Sequence, residues 1–136
     1  MRDWPVLAAV GGGGVAGALA RYGLQEAWPH DVGGFPWATF WVNVSGCLLI
    51  GVLMTVLAEV APGHRLVRPL LGVGVLGGYT TFSTYAVDVR QGLAAGAAGT
   101  SLLYLFGTVS AALVAVWAGA AGTALALRRF PGRSPR

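Results

Sequence analysis

The sequence has little charge and no lysine. Only 10% of its 136 residues are charged, whereas about a quarter are charged in a typical soluble domain. Hydrophobic residues make up 55% of the chain. All nine basic residues are arginines, and they stand near the ends of apolar runs rather than along one face, which argues against binding to nucleic acid. The composition excludes an ordinary soluble domain and indicates a membrane protein in contact with the lipid bilayer.

The sequence also has few of the groups that catalysis and metal binding require. Its single cysteine, Cys47, cannot form an intrachain disulfide, and its five acidic residues stand near the ends of apolar runs. His30 and His64 occupy loops without a cysteine or carboxylate at metal-ligand spacing. No nucleophile, base and acid can be combined into an active site, so we predict that the chain is not an enzyme and has no catalytic residues.

Four apolar stretches are each long enough to cross a bilayer, which takes about 20 residues. We predict membrane spans at residues 5–28, 36–59, 69–95 and 99–127, followed by a basic tail at 128–136. The spans use almost the whole chain and leave no room for a soluble domain. The predicted fold class is therefore all-α, with a single integral membrane domain of four transmembrane helices.

The third span contains an interruption. Gly77 and Gly78 are followed by four hydroxyl residues, namely Thr80, Thr81, Ser83 and Thr84. Glycine lowers helix stability by about 1 kcal/mol relative to alanine, so we predict a break near 77–82 that frees backbone groups at membrane depth. Broken helices of this kind are common at transport sites. The alternative is a kinked helix whose hydroxyls bond to their own backbone.

A few polar residues stand within the other spans. Arg21, near the end of the first span, either snorkels to the membrane interface or forms a positive vestibule that concentrates anions. Thr39 and Asn43 are four residues apart and share one helical face. Asn43 either joins helices, with a contribution of about 0.6 kcal/mol, or presents an amide donor to a passing anion. In the fourth span, Thr108 follows Tyr104 by four residues, which by itself does not define a polar lining.

Three motifs, taken in order, resemble the signatures of the Fluc fluoride channels, also called the CrcB family. They run from Gly11 to Tyr22, from Ala38 to Gly46 and from Gly77 to Tyr85. Their order and spacing match across three spans, and the length and four-span layout cover the whole chain. The resemblance implies a small antiparallel dimer of four-helix subunits that lets fluoride leave the cell passively and so limits fluoride toxicity.

The resemblance also implies which residues form the site. The ion pathway is assigned to Arg21, Thr39, Asn43, Phe82, Ser83, Tyr85 and Thr108. The backbone carbonyls of Gly77 and Thr80 are assigned to a structural Na⁺ at the dimer centre, which is bound but not transported. Tyr85 departs from the family pattern, which has phenylalanine at this position. A tyrosine keeps the electropositive ring edge that can face an anion, and it adds a hydroxyl donor.

Two other classes of membrane protein remain open from the residues alone. A small multidrug exporter is of similar size and couples transport to protons, but it needs a carboxylate within the membrane. The first span offers only Asp3 before it and Glu26 near its end. A passive assembly subunit would explain the glycine-rich first span but not the interruption at 77–82. Fluoride transport is therefore the favoured function, with the exporter as the alternative.

The arginines predict the orientation of the chain in the membrane. With four spans, both termini and the loop between spans two and three share one side, which carries Arg2, Arg65, Arg68, Arg128, Arg129, Arg133 and Arg136. The other side carries Arg21 and Arg90. Short arginine-rich segments stay in the cytoplasm, so we predict cytoplasmic termini in the plasma membrane of a prokaryote. An antiparallel dimer then pairs the chain with itself or with an oppositely oriented paralogue.

Overall fold

The computed structural model describes residues 3–60 and 65–129, and every regular element within these ranges is helical. The helices are α1 (Trp4–Ala27), α2 (Trp37–Glu59), a π-helix that we call π1 (Arg68–Leu76), α3 (Gly77–Tyr79), α4 (Phe82–Ala94) and α5 (Ala98–Arg129). The predicted all-helical class is thus confirmed. His64 and the part of the basic tail beyond Arg129 lie outside the described residues.

Within residues 3–60 and 65–129, two helices are long and apolar enough to cross a membrane on their own. They are α2, with 23 residues, and α5, with 32 residues. At 1.5 Å per residue α5 is about 48 Å long, which exceeds the hydrocarbon thickness of about 30 Å. The third predicted span is divided among π1, α3 and α4, so no single helix within the described residues covers it.

The helices pack in two close pairs, α1 against π1 and α2 against α5. Buried glycines allow this approach in the second pair. A Cβ atom added to Gly51 would lie 3.0 Å from the amide nitrogen of Ala120, and one added to Gly119 would lie 3.2 Å from that of Val52. Small residues at such positions let helix backbones touch, which is the usual means of helix association in a membrane.

The exterior carries many large apolar side chains, and the interior contains polar as well as apolar residues. Large apolar side chains that are more than half exposed lie along several helices, including Leu7, Leu19, Phe106, Leu113 and Trp117. Buried positions, in contrast, include Thr39, Ser101 and Thr108. Polar groups that face the bundle interior while apolar groups face outward are typical of a protein surrounded by lipid.

The helical path is interrupted at Thr80 and Thr81. Both have extended backbones, with φ −78° and ψ 153° at Thr80 and φ −145° and ψ 121° at Thr81. Thr81 then caps α4, since its hydroxyl oxygen accepts a hydrogen bond from the amide of Thr84 at 3.2 Å. Threonine is a favourable N-cap residue. The two extended residues are therefore Thr80 and Thr81, and not the glycines that precede them.

The glycine pair itself is helical, which differs from the expectation that it would break the helix. Gly77 and Gly78 open α3. A Cβ atom added to Gly78 would lie 3.0 Å from the Cα atom of Gly14 in α1. The backbones of α1 and α3 therefore touch here, and the absence of a side chain at Gly78 serves this close approach rather than a turn.

Candidate functional site

An open cavity of about 240 Å³ lies where α2, the interruption, α4 and α5 meet. It is lined by Asn43, Cys47, Thr80, Thr81, Phe82, Tyr85, Thr108, Val109 and Ala112. The lining follows from helical spacing, because residues four apart share a face. Asn43 and Cys47 form such a pair on α2, and Thr108 and Ala112 form another on α5.

The cavity brings together four of the seven residues predicted for the ion pathway, namely Asn43, Phe82, Tyr85 and Thr108. The remaining three are Arg21, Thr39 and Ser83, and they lie outside its lining. Ser83 is exposed at the start of α4, with its hydroxyl 3.3 Å from that of Thr81. The structure therefore places four of the predicted pathway residues in the lining of the cavity and the other three outside it.

Asn43 is bound to the interrupted backbone. Its amide nitrogen Nδ2 donates to the carbonyl of Thr81 at 3.0 Å, and its Oδ1 accepts from the amide of Thr81 at 2.8 Å. The side chain thus replaces the helical partners that Thr81 lacks in its extended conformation. Backbone groups at membrane depth must be satisfied within the protein, and Asn43 meets this requirement from a neighbouring helix.

Thr108 has an unusual environment for a hydroxyl group. The residue is only 3% exposed. Among the described residues, its Oγ1 is the one buried side-chain oxygen or nitrogen without a hydrogen-bond partner. Buried polar atoms are nearly always hydrogen-bonded, and each exception needs an explanation. Thr108 also lines the cavity, so a hydroxyl without a partner among the described residues belongs to the cavity wall.

Aromatic rings form a row that starts at the cavity and runs into the bundle. Phe82 is 78% exposed and Tyr85 is 5% exposed, with 5.6 Å between their ring centroids. Tyr85 lies 5.3 Å from Tyr104, which meets Phe35 edge to face at 5.3 Å. The Tyr85 hydroxyl donates to the carbonyl of Leu105 at 2.7 Å, so this donor is engaged by α5 rather than by the cavity.

Arg21 contacts the helix that precedes the interruption. Its Nε donates to the carbonyl of Gly78 at 3.2 Å. Its Nη1 is 3.5 Å from Oε1 of Gln25, one turn further along α1. The guanidinium group is partly buried between α1 and α3 and points at backbone oxygen.

Thr39 belongs to a polar cluster that the sequence alone did not reveal. Its hydroxyl oxygen accepts from Nε2 of Gln25 at 3.2 Å. Nearby, the Tyr104 hydroxyl donates to Oδ2 of Asp88 at 3.3 Å, and Nε2 of His30 lies 3.9 Å from Oδ1 of the same carboxylate. The Asp88 side chain is only 7% exposed, although the sequence places it near the end of a span.

One sequence signal could have located this cluster. Asp88 follows Tyr85 by three residues, and Tyr104 precedes Thr108 by four, so both continue the helical faces of cavity residues. The position of Asp88 near a span end concealed that its carboxylate is inside the bundle. The pairing with His30 depends on how the loop after α1 folds, and no local spacing indicates it.

The carbonyls of Gly77 and Thr80 flank the end of α3. Thr80 donates from both its amide and its hydroxyl to the carbonyl of Leu76, at 3.0 and 2.9 Å. Gly77 is exposed, and a Cβ atom added there would meet only the carbonyl oxygen of Gly72, at 3.9 Å. Oxygen donors suit a hard cation, and of these two residues Gly77 is exposed while Thr80 is half-buried. In residues 3–60 and 65–129, no group of three or more His, Cys, Asp or Glu side chains could hold a metal ion.

Comparison with known proteins decides the family. The profile of the family described as CrcB-like protein, Camphor Resistance (CrcB), matches residues 8–120, which is most of the chain. The chain belongs to the CrcB family. The matched region contains every residue of the cavity and both glycines of α3. The resemblance seen in the three motifs is therefore confirmed.

Relatives of this CrcB chain carry the name of a channel. This chain is 59% identical over 113 residues to fluoride-specific ion channel FluC 1 of Streptomyces coelicolor, and the match covers 83% of this chain and 73% of the relative. It is 53% identical over 114 residues to FluC 2 of Nocardia farcinica, covering 84% and 81%. It is 51% identical over 131 residues to FluC 2 of Thermobifida fusca, covering 96% and 97%. Because these CrcB relatives are named as channels, the prediction that the chain is not an enzyme is confirmed.

Proposed function

We propose that this protein is a fluoride channel that lets fluoride leave the cell down its gradient and so limits fluoride toxicity. The observation that carries the proposal is the buried hydroxyl of Thr108, a residue that lines the cavity and whose hydroxyl has no hydrogen-bond partner among the described residues. The names of the CrcB relatives support fluoride as the ion.

The cavity offers the chemistry that fluoride requires. Fluoride is small and holds its water strongly, so a pathway must replace that water with several donors whose binding is favourable but releasable. Thr108 supplies a hydroxyl. The amide of Asn43 has two N–H groups, of which one is bound to Thr81, and the other can serve an anion. The ring edges of Phe82 and Tyr85 add positive electrostatic potential without a fixed charge that would trap the ion.

We further infer that a structural Na⁺, held but not transported, is bound by the carbonyls of Gly77 and Thr80. These hard oxygen donors fit such a cation, and a bound Na⁺ would offset the negative ends of backbone dipoles at the interruption. Fluoride flux should then fall when Na⁺ is replaced by a large organic cation after exhaustive dialysis. Equal flux in both media would speak against this site.

The exposure of the site supports a dimer, whose two subunits we propose to be antiparallel. Phe82 and Gly77 lie on the outside of the subunit, so the pathway and the proposed Na⁺ site are each incomplete without a second chain. A two-fold axis repeats one set of donors and produces a closed site from two half-sites. We propose that the partner is this chain or an oppositely oriented paralogue, in the plasma membrane of a prokaryote with the termini of this chain in the cytoplasm.

Fluoride efflux from liposomes that contain the purified protein tests the proposed function. A fluoride electrode should record release that greatly exceeds that from protein-free vesicles, while chloride in the same vesicles stays inside. Transport of cationic dyes driven by a proton gradient, without fluoride release, would instead favour the exporter class. In that case the buried carboxylate of Asp88 would be the first group to examine.

A further inference from the structure

A stripe on α1 fixes where Arg21 meets the rest of the subunit. Gly13, Gly17 and Arg21 follow one another at four-residue spacing and therefore share one face. A Cβ atom added to Gly13 would lie 3.0 Å from the amide nitrogen of Val75, and one added to Gly17 would lie 2.8 Å from that of Tyr79. Both glycines are buried. The contact of the α1 backbone with that of π1 and α3 sets the position of α1 along these two helices. Arg21, one turn beyond Gly17, therefore lies beside the end of α3.

The charge of Arg21 is directed at the protein backbone. Its Nε donates to the carbonyl of Gly78 at 3.2 Å, and its Nη1 faces the side-chain oxygen of Gln25. In residues 3–60 and 65–129 the single contact within 4 Å between a basic and an acidic side chain is that of His30 with Asp88, so no carboxylate in this part of the chain lies within that distance of the Arg21 guanidinium group. Arg21 is instead hydrogen-bonded to a carbonyl at the C-terminal end of α3.

The C-terminal end of α3 needs a hydrogen-bond donor from elsewhere in the protein. The last carbonyls of a helix lack the amides of a following turn, and α3 ends at Tyr79 because Thr80 is extended. Basic side chains near a helix C-terminus bond these carbonyls and interact favourably with the helix dipole. Asn43 performs the matching task at the second residue of the interruption, where it binds Thr81. The interrupted segment is thus held from α1 on one side and from α2 on the other.

We propose that Arg21 is a positioning residue that anchors the carbonyl end of α3 and so holds Thr80 and Thr81 in the wall of the cavity. Fluoride flux then depends on the N–H of Arg21 that binds Gly78, rather than on a positive charge that concentrates anions at a distance. This inference rests on the proposed channel function, since flux is one of its readouts. The two roles differ in their response to salt, because a long-range charge effect is screened and a hydrogen bond within the protein is not.

Two neutral substitutions of similar length separate these roles. Arg21→Gln removes the charge but keeps an N–H donor at the same number of bonds from the backbone, and Arg21→Met removes both. We expect flux through the Met variant to be about tenfold below that of the Gln variant, a ratio that corresponds to about 1.4 kcal/mol. The ratio should be the same at ionic strengths of about 0.01 M and about 1 M, where the screening length is about 30 Å and about 3 Å. Arg90→Met, which removes an exposed arginine from α4, is the control for lost charge.

The proposal would be overturned if the Gln and Met variants lost the same fraction of fluoride flux at low ionic strength and both regained it at high ionic strength. That result would mean that Arg21 acts through its positive charge, which concentrates anions at the mouth of the pathway. Hydrogen exchange of the amides from Thr80 to Phe82, measured in detergent, gives a readout that does not require flux. We expect faster exchange in Arg21→Met than in Arg21→Gln or Arg90→Met, and unchanged exchange in the Met variant would refute the positioning role. If the unmodified protein moved no fluoride, the proposed function would fail while the exchange comparison still decided the role of Arg21.

Discussion

Asn43 and Thr81 exchange two hydrogen bonds across 38 positions of the chain, at 3.0 and 2.8 Å. The Asn43 side chain presents the same pair of groups as a peptide unit, one N–H donor and one carbonyl acceptor. It therefore completes a backbone that has left the helical conformation at membrane depth. A residue that lines the proposed ion pathway is at the same time the element that keeps the interruption in place.

Asn43→Ala should reduce both stability and fluoride flux. Two partly buried backbone groups of Thr81 would lose their partner, which typically costs about 1–3 kcal/mol for each unsatisfied group. We expect flux to fall further than the yield of assembled protein, measured by efflux and size-exclusion chromatography. Thr55→Ala is the control, because it removes a hydroxyl that bonds only to Gly51 within α2. Normal flux in a folded Asn43 variant would remove this residue from the mechanism.

Tyr85→Phe should preserve fluoride flux. The hydroxyl that it removes donates to Leu105 rather than to the cavity, and the ring edge remains. We expect a loss of about 1 kcal/mol in unfolding free energy, the usual net contribution of one hydrogen bond, visible as a small fall in melting temperature. Tyr85→Leu, which removes the ring as well, should lower flux. An inactive but folded Phe variant would mean that the hydroxyl takes part in conduction.

Thr108→Val should separate stability from function. Valine has nearly the same shape and removes a buried hydroxyl that has no partner among the described residues, so the protein should be at least as stable, since an unsatisfied buried group is costly. Flux should fall because the donor is lost. Thr123→Val on the same helix is the control, since its hydroxyl bonds to Gly119 at 2.7 Å. Undiminished flux in Thr108→Val would contradict the role of this hydroxyl as a fluoride ligand.

Cys47 should make the channel sensitive to mercuric ion. It is the single cysteine of the chain and lines the cavity beside Asn43, and a metal bound to its thiolate would obstruct the pathway. Addition of HgCl₂ to proteoliposomes should block fluoride release, and a thiol reductant should restore it. Cys47→Ala should be resistant. Full flux despite mercury bound to Cys47, verified by mass spectrometry, would place the pathway elsewhere.

The C-terminus should be found on one side of the membrane only. The predicted four-span layout places seven of the nine arginines on the side of the termini and two on the other, a bias that favours one orientation. Arg136→Cys in a Cys47→Ala background allows labelling of intact cells with a reagent that cannot cross the membrane. We expect protection until the cells are opened, which would favour a paralogue as the antiparallel partner. Equal labelling from both sides would show dual insertion and exclude that partner.

The amino-acid sequence by itself determined the class of the protein and its family. Low charge and long apolar stretches are local properties, and they indicate helices in a membrane whatever the packing. The motifs from Gly11 to Tyr22, Ala38 to Gly46 and Gly77 to Tyr85 are also local, and the family match from residue 8 to residue 120 agrees with them. Helical spacing further predicted that Thr39 and Asn43 share a face of one helix.

Only the tertiary structure decided which partners these side chains have. Arg21 bonds to Gly78 across 57 positions, and Asn43 bonds to Thr81 across 38, so each contact depends on the register of two packed helices. Thr39 shares a helical face with Asn43 but meets Gln25 instead of the cavity, because the two residues lie one turn apart and face different neighbours. A polar side chain in a membrane forms a hydrogen bond with the donor or acceptor that packing brings within about 3 Å. Which group that is depends on how the helices pack together, and the sequence of a single helix does not determine it.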